Sequence, residues 1–125
     1  ITIAVLGAEA LAEELTRIVP GRRINNRPIA VRRLQDGASL DGVHILFVGH
    51  ERRSQIAKLA HGARENGVLL VTESEGMLAE GSMVNFVVVE GHVRFEVGLD
   101  AARRSGLKLS SRLLAVAQQV HSRAP

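Results

Sequence analysis

The sequence predicts an α/β protein: a mostly parallel sheet flanked by helices on both faces, with a C-terminal antiparallel hairpin and a terminal helix. In the first two thirds of the chain, short continuous apolar runs alternate with stretches whose apolar residues recur at helical spacing, a pattern typical of crossovers between parallel strands. In the last third, two strand patterns flank Glu90-Gly91, a residue pair that suits a tight hairpin turn.

The first two thirds of the chain supply the parallel part of the sheet. We expect strands over residues 1–6, 28–34, 43–48 and 68–72, and helices over residues 8–19 and 54–66. The strand over residues 28–34 alternates imperfectly and is expected at an edge of the sheet. Residues 36–42 are expected to form a loop, and residues 73–81 a turn or a short helical segment.

The last third of the sequence predicts an antiparallel hairpin followed by helices. Strands over residues 83–89 and 92–97 form the predicted hairpin, and the second strand alternates, so that one of its faces is buried. A short helix is expected over residues 99–104, stopped by Gly106. Ser110 or Ser111 is expected to cap a final helix. The apolar stripe of that helix comprises Leu113, Leu114, Ala117 and Val120.

Length and composition favour a single globular domain over residues 1–125. Hydrophobic residues make up 46% of the 125 residues and charged residues 23%, the balance of a folded chain rather than a disordered one. The apolar runs are much shorter than the ~20 residues of a membrane-spanning helix, so we expect no membrane insertion. The chain opens on Ile1 within a strand pattern, which suggests a mature or trimmed product.

The charge of the chain is mildly positive, at +3, and argues against nucleic acid as a partner. Nucleic-acid-binding proteins usually carry a concentrated basic stripe with aromatic platforms, and this chain has no Trp or Tyr. Its three phenylalanines lie in strand patterns. The richest basic segment favours a solvated face over a phosphate site. That segment comprises Arg22, Arg23, Arg27, Arg32 and Arg33.

Motifs for cofactor binding and phosphotransfer are missing from the expected places. Gly7 alone follows the first strand, where a dinucleotide-binding protein has three spaced glycines, and Glu9 in the next helical turn would repel a phosphate. A receiver domain of a response regulator needs an acidic cluster at this point and an aspartate at the end of the third strand. The chain instead has Val48-Gly49-His50 there.

Residues for catalysis or metal binding are equally sparse. The five histidines are scattered without the one-turn spacing of metal ligands, and the chain has no cysteine and no G-x-S-x-G motif. The pair His50-Glu51 lies at a strand end, where α/β sheets place their sites, but a loop histidine beside an acidic helix start explains it more simply. We therefore expect no enzyme activity, no cofactor and no metal.

The C-terminal stretch carries the most specific pattern of the chain. After the predicted hairpin, its characteristic residues are Phe95, Leu99, Gly106, Leu107, Ser110, Ser111 and Leu114. In order and spacing they resemble the YfiR family of bacterial periplasmic signalling proteins, whose pattern combines a hairpin, F-x-(I/V)-N-L, two alanines, a small-residue-Gly-Leu step and S-S-x-L-L. Strand segments upstream also resemble the family, so the likeness covers nearly the whole chain. Gly98 replaces the family's usual asparagine, and the cysteines of many members are absent.

The resemblance implies a periplasmic protein that acts by binding. Its implied partner is the sensory domain of an inner-membrane diguanylate cyclase or another membrane sensor protein, and its implied effect is lower cyclic-di-GMP and less biofilm. We expect the hairpin and the C-terminal helix to form the surface for this partner or for a homodimer. Leu107, Leu109 and Leu113 are the candidate partner-binding residues, because apolar side chains near a helix end can anchor a partner.

A second hypothesis from the sequence is a small-ligand-sensing domain of a membrane signalling protein. Open α/β sheets bind ligands at the carboxyl ends of their strands. The corresponding residues are Gly7, Gly49, His50 and Thr72.

Overall fold

The computed structural model describes residues 1–24, 26–98 and 119–121. The helices are α1 (Glu9–Ile18) and α2 (Ile56–Asn66), and 3₁₀ segments span His50–Gln55 and Met77–Glu80. The strands are β1 (Thr2–Leu6), β2 (Arg23–Ile24), β3 (Arg27–Pro28), β4 (Ala30–Arg33), β5 (Ile45–Val48), β6 (Leu69–Thr72), β7 (Val84–Val89), β8 (His92–Gly98) and β9 (Gln119–His121).

The main sheet has the strand order β4-β1-β5-β6-β7-β8-β9. The strands from β4 to β7 are parallel to their neighbours, β8 runs antiparallel to β7, and β9 runs parallel to β8. The mostly parallel α/β fold with a C-terminal antiparallel hairpin, predicted from the sequence, is therefore confirmed. The imperfectly alternating segment forms β4, which lies at the predicted edge of the sheet.

The register of the parallel strands assigns each side chain to one of two faces. Ala4, Leu46 and Leu70 are register partners, and they share one buried cluster with Ile56 and other residues of α2. We call this side of the sheet the α2 face. Because side chains alternate along a strand, the neighbouring positions lie on the opposite face.

Helix α1 lies on that opposite face, which we call the α1 face. Arg33 is the register partner of Val5, and its Nε lies 2.8 Å from Oε1 of Glu9 on α1. Ala12 is the buried residue of the helix. Helices therefore flank the sheet on both sides, as the alternation of strand and helix patterns predicted.

The two helices begin within two residues of their predicted starts. Helix α1 is one residue shorter than predicted at each end. Helix α2 starts at Ile56 rather than Ser54, because residues 50–55 form a 3₁₀ segment that turns the chain from β5 towards the helix. Its buried residues Ile56, Ala60 and Ala63 recur at helical spacing, which is the signal that predicted it.

The C-terminal hairpin is the longest strand pairing in the sheet, with register from Val84 opposite Val97 to Val89 opposite His92. Both turn residues have positive φ angles, 51° at Glu90 and 79° at Gly91. Two successive residues of this kind match the right-handed twist of the flanking strands, so the sequence predicted the turn correctly.

Two features differ from the sequence-based expectations. Strands β2 and β3 form a small antiparallel pair that was not predicted, since two-residue strands carry no periodicity. Val120, predicted on the stripe of the terminal helix, lies in β9 as the register partner of Val97, so that prediction is wrong at this residue. Backbone pairing along the outer edge of β8 overrides the local helical pattern there. The short helix expected over residues 99–104 and the rest of the expected terminal helix, up to residue 118, lie outside the described residues.

A buried polar network joins the parallel part of the sheet to the hairpin. Thr72 donates to Oδ1 of Asn85 at 2.6 Å, and its hydroxyl lies 2.7 Å from that of Ser82. Nδ2 of Asn85 donates to Glu96 at 3.2 Å. Thr72, Ser82 and Asn85 are fully buried. The network thus crosses β6, β7 and β8 at the point where strand direction reverses.

Replacing Thr72 by valine tests how strongly this network stabilises the sheet. Thr72→Val keeps the shape of the side chain but leaves the buried Oδ1 of Asn85 without its donor, so we expect a loss of about 1–3 kcal/mol in the free energy of unfolding. Urea denaturation measures this change in the free energy of unfolding. Thr72→Ser, which keeps the hydroxyl, is the matched control and should lose less. Equal losses in the two variants would contradict this role of the hydroxyl.

Candidate functional site

The residues proposed from the sequence for a ligand site meet at one edge of the sheet. Gly7 follows β1, Gly49 and His50 follow β5, and Thr72 ends β6. Because these strands are parallel and adjacent, their carboxyl ends lie together. The chain leaves β1 towards β4 on one side and leaves β5 towards β6 on the other, which places the topological switch point between Gly7 and Gly49.

The switch point is closed by direct packing of the backbone. The N–H of Gly49 donates to the carbonyl of Leu6 at 2.8 Å. A Cβ added to Gly49 would lie 2.2 Å from the Gly7 oxygen, and one added to Gly7 would lie 2.7 Å from Cγ of Arg52. Both glycines are therefore required for close approach, and the space between the two loops does not admit a ligand.

A shallow cavity of ≈ 120 Å³ remains beside this contact, on the α1 face. Glu9 and Glu51 contribute two carboxylates to its lining and Arg33 contributes one cation. Arg33 already pairs with Glu9. Such a small, net acidic cavity does not suit the phosphate of a nucleotide, in agreement with the missing glycine motif.

His50 forms a second cluster with residues that the sequence analysis missed. Its backbone N–H donates to Oε2 of Glu73 at 3.0 Å, and its Nδ1 lies 2.9 Å from Oγ of Ser74. Ser74 is only 3% exposed, so its hydroxyl is closed to a substrate. The pairing tethers the loop after β5 to the loop after β6. This contact could have been predicted from the sequence. Glu73-Ser74 comes just after β6 and His50 comes just after β5, and the carboxyl ends of these two parallel strands lie side by side.

The structure also separates His50 from Glu51, the pair considered for acid/base chemistry. His50 contacts the loop after β6, whereas Glu51 lines the cavity on the other side of Gly7. Within the described residues, no group of three His, Asp or Glu side chains is close enough to hold a metal ion. Every buried side-chain nitrogen or oxygen of the described residues has a hydrogen-bond partner.

A larger cavity, of ≈ 330 Å³, lies between helix α2 and the loop that follows β4. Asp36 connects this loop to the start of α2: its Oδ1 accepts from Nε2 of Gln55 at 3.0 Å and from Nε of Arg52 at 3.1 Å. The hydrogen bond from Gln55 and the nearby guanidinium of Arg52 hold the pKa of Asp36 below its usual value. The carboxylate thus fixes one end of the loop while ionised.

The basic segment of the sequence is spread over several elements rather than gathered into one cleft. Its members are exposed on the turn after α1, on the β2–β3 pair and on the edge strand β4. Arg22 donates to the carbonyl of Ile18 at 3.0 Å, Arg23 to Asn26 at 3.1 Å and Arg32 to Asp41 at 3.3 Å. These arginines are therefore exposed at an edge of the protein, in agreement with the solvated face that the sequence analysis favoured over a phosphate site.

The candidate partner-binding residues Leu107, Leu109 and Leu113 lie outside the described residues. The same holds for most of the motif that carries the resemblance, namely Leu99, Gly106, Ser110, Ser111 and Leu114. Phe95 is placed by its backbone in β8, opposite Phe86 of β7. No helix in the described ranges has the length and apolar character needed to cross a membrane.

Taken together, the fold and the site define a doubly wound α/β domain in which the described polar groups at the strand ends bond to one another. The chain belongs to the YfiR/HmsC-like family, whose model matches residues 1–118. This confirms the resemblance. Family membership supports the role of a periplasmic regulator in general. No curated protein sequence matches the chain.

Two solved structures share the fold at low sequence identity. A conserved domain protein from Vibrio cholerae O1 biovar El Tor has a TM-score of 0.71 and 12% identity, over 96% of this chain and 54% of that one. The ABC domain from Streptococcus pneumoniae, in complex with L-Trp, has a TM-score of 0.68 and 11% identity, over 96% of this chain and 55% of that one. The chain thus spans about half the length of each.

The close contact at the switch point predicts a large effect of one methyl group. In Gly49→Ala the new Cβ meets the Gly7 backbone, which cannot move independently of β1, so we expect a loss of about 1–3 kcal/mol in unfolding free energy, as in overpacked cores. The matched control is Gly62→Ala within α2, where the nearest atom is at 3.5 Å. This control should gain roughly 0.5–1 kcal/mol from helix propensity. Urea titration that finds Gly49→Ala as stable as the wild type would contradict the contact.

The lowered pKa of Asp36 predicts a pH-dependent contribution to stability. A depressed pKa in the folded state means that the carboxylate stabilises the fold at pH values above the unfolded pKa of about 3.9, and that this contribution disappears as pH falls through the folded value. Asp36→Asn should therefore be less stable than the wild type at neutral pH, and the difference should shrink in acid.

Thermal unfolding between neutral pH and strong acid measures the difference between the wild type and Asp36→Asn. Asp41→Asn is the control, since the Asp41 carboxylate makes no hydrogen bond to a described residue. A stability difference for Asp36→Asn that stays constant across the whole pH range would rule out the contribution of the ionised carboxylate.

Proposed function

We propose that the protein is a non-enzymatic periplasmic regulator that binds and represses the sensory domain of an inner-membrane diguanylate cyclase, lowering cyclic-di-GMP and biofilm formation. The observation that carries this proposal is the match of the YfiR/HmsC-like model to residues 1–118. The described strand ends are consistent with it. Their polar side chains bond to each other and to the backbone, so action through contact surfaces fits better than turnover of a substrate.

The surface assigned to the partner is the β7–β8 hairpin together with the chain that follows it. Leu107, Leu109 and Leu113 are the proposed anchors for the cyclase domain or for a second copy of the chain. Phe86 on β7 is 37% exposed, which places a large apolar side chain on the hairpin part of this surface. Apolar anchors of this kind contribute most of the binding energy when a partner buries them.

An alternative function is small-ligand sensing within a membrane signalling protein. One neighbour of similar fold was solved in complex with L-Trp. In this chain the ≈ 330 Å³ cavity between α2 and the preceding loop lies within the size range of small-molecule sites. This cavity is distinct from the crevice between Gly7 and Gly49 that the sequence suggested: it lies on the α2 face, beside the ends of β1 and β4.

Cyclase repression is testable in a bacterium that lacks its own protein of this family. The full chain is exported together with a membrane diguanylate cyclase whose sensory domain faces the periplasm, and cyclic-di-GMP is measured by mass spectrometry. We expect the nucleotide to fall when the protein is present and to recover when it is absent. Unchanged cyclic-di-GMP, with both proteins present in the cell envelope and no complex on affinity capture, would overturn the proposal for that cyclase.

Single substitutions then test the proposed anchors. Leu107→Ser and Leu109→Ser should each weaken capture of the sensory domain about tenfold, the size of a typical interface anchor. Ile18→Ser is the control, because Ile18 is 40% exposed at the end of α1 and belongs to no proposed contact. Thermal melting separates lost contact from lost folding. Full binding by both leucine variants, with normal melting, would exclude these anchors.

A further inference from the structure

The ≈ 330 Å³ cavity between α2 and the loop after β4 has an apolar floor. Four leucines form this floor: Leu6 at the end of β1, Leu34 after β4, Leu40 in the loop, and Leu59 on α2. Leu40 belongs to the buried core cluster, and Leu34 and Leu59 pack against that cluster. The floor is therefore continuous with the hydrophobic core, and an apolar group placed on it is removed from water.

The cavity is open because no side chain fills the space between helix and loop at Gly62. A Cβ built on Gly62 would lie 3.5 Å from Cδ1 of Leu40, which is an ordinary contact distance. The loop is held beside α2 by Oδ1 of Asp36, which accepts from Arg52 and Gln55. A cavity that is formed in advance binds a small molecule at a lower entropic cost than one that must be ordered by its ligand.

Most of the neutral polar side chains at the rim are already bonded within the protein. Oγ of Ser39 accepts from a backbone N–H of its own loop at 3.1 Å. Nε2 of Gln55 donates to a carboxylate oxygen of Asp36 at 3.0 Å. Nδ2 of Asn66 donates to the carbonyl of Gly62 at 2.8 Å. These bonds hold the walls of the cavity in place, so the charged side chains of the rim are its main groups for recognising a ligand.

Two charged side chains line the cavity, and they have opposite signs. Lys58 is exposed on α2, and its ammonium group makes no ion pair with a described carboxylate. Asp41 lies in the loop, where its backbone carbonyl accepts from Arg32 at 3.3 Å. The carboxylate of Asp41 makes no hydrogen bond or ion pair with a described residue. The helix side of the rim thus carries one uncompensated positive charge, and the loop side carries one uncompensated negative charge.

This pair of charges disfavours ligands that carry a single charge. An anion on the leucine floor is attracted by Lys58 and repelled by Asp41, and a cation experiences the reverse. A neutral ligand gains from neither charge. A small zwitterion is attracted by both groups at once, so it is the ligand class that the lining favours.

We propose that this cavity binds a small zwitterion with an apolar side chain, of which an aliphatic α-amino acid is the simplest form. The side chain lies on the four leucines, the carboxylate pairs with Lys58, and the ammonium group pairs with Asp41. The inference rests on the ligand-sensing alternative and names its site and its ligand class. It concerns the α2 face of the sheet, apart from the hairpin assigned to the cyclase.

Four related probes separate the contributions of the charges from that of the apolar side chain. They are L-leucine, 4-methylpentanoate, which lacks the amino group, 3-methylbutylamine, which lacks the carboxylate, and glycine, which lacks the side chain. Leucine-methyl NMR of the isotopically labelled full chain reports binding at Leu40 and Leu59. We expect L-leucine to shift these signals with a dissociation constant on the order of 1 mM. Each singly charged probe should bind about threefold to fivefold more weakly, the range of an exposed ion pair, and glycine should leave the signals unchanged.

Substitution of the two charged residues should give a crossed pattern. Lys58→Gln should weaken L-leucine and 4-methylpentanoate about threefold and should not weaken 3-methylbutylamine. Asp41→Asn should weaken L-leucine and 3-methylbutylamine about threefold and should not weaken 4-methylpentanoate. The matched controls are Arg53→Gln and Glu13→Gln, which remove the same charges from exposed positions outside the cavity and should leave all dissociation constants unchanged.

The proposal is overturned if either singly charged probe binds as tightly as L-leucine, because the cavity then does not recognise a zwitterion, although ligand binding at the cavity stands. It is equally overturned if Lys58→Gln or Asp41→Asn has no larger effect than its control. If no probe shifts the Leu40 and Leu59 signals, the proposal and ligand sensing at this cavity fail together. Cyclase repression is measured separately in cells, and none of these results alters it.

Discussion

The register among β1, β5 and β6 is the constraint on which the rest of the structure depends. A shift of one residue between parallel strands would exchange the two faces of the sheet. Leu46 and Leu70 would then leave the cluster under α2, and neighbours that now lie on the α1 face, such as Phe47 and Val71, would take their places. The observed register fixes which helix covers which face, and it thereby fixes where the loops after the strands meet. Everything described at the strand ends follows from it.

The central strands were predictable because they are buried on both faces. Continuous apolar runs such as Ile45–Val48 have no other simple explanation in a chain of this composition, and the recurring alanines of α2 mark the helix that covers them. The β2–β3 pair and β9 were not predictable. Their strands have two or three residues, too few to show a periodic pattern, and they are defined only by their pairing with another strand. Pairing of this kind depends on tertiary structure and is not encoded in the segment alone.

The candidate site likewise has features that the sequence predicted and features that it did not. Sequence reasoning correctly brought Gly7, Gly49, His50 and Thr72 to one edge, since parallel topology alone requires it. It did not show that Gly7 and Gly49 close the crevice, because a glycine at a strand end is compatible both with an open phosphate loop and with tight packing. The larger cavity was missed for a related reason. It depends on the path of a loop and on the absence of a side chain at Gly62, neither of which leaves a periodic signal.

The closed switch point bears directly on how a protein of this fold can act as a regulator. An α/β enzyme commonly uses the crevice at the strand ends to bring substrate and backbone donors together. In this chain the same position holds the backbone of one loop against another, and the polar groups around it bind each other. The edge therefore serves stability and holds the loops in fixed positions. The surfaces proposed for contact are the hairpin and the α2 cavity, and neither of them requires an open crevice between Gly7 and Gly49.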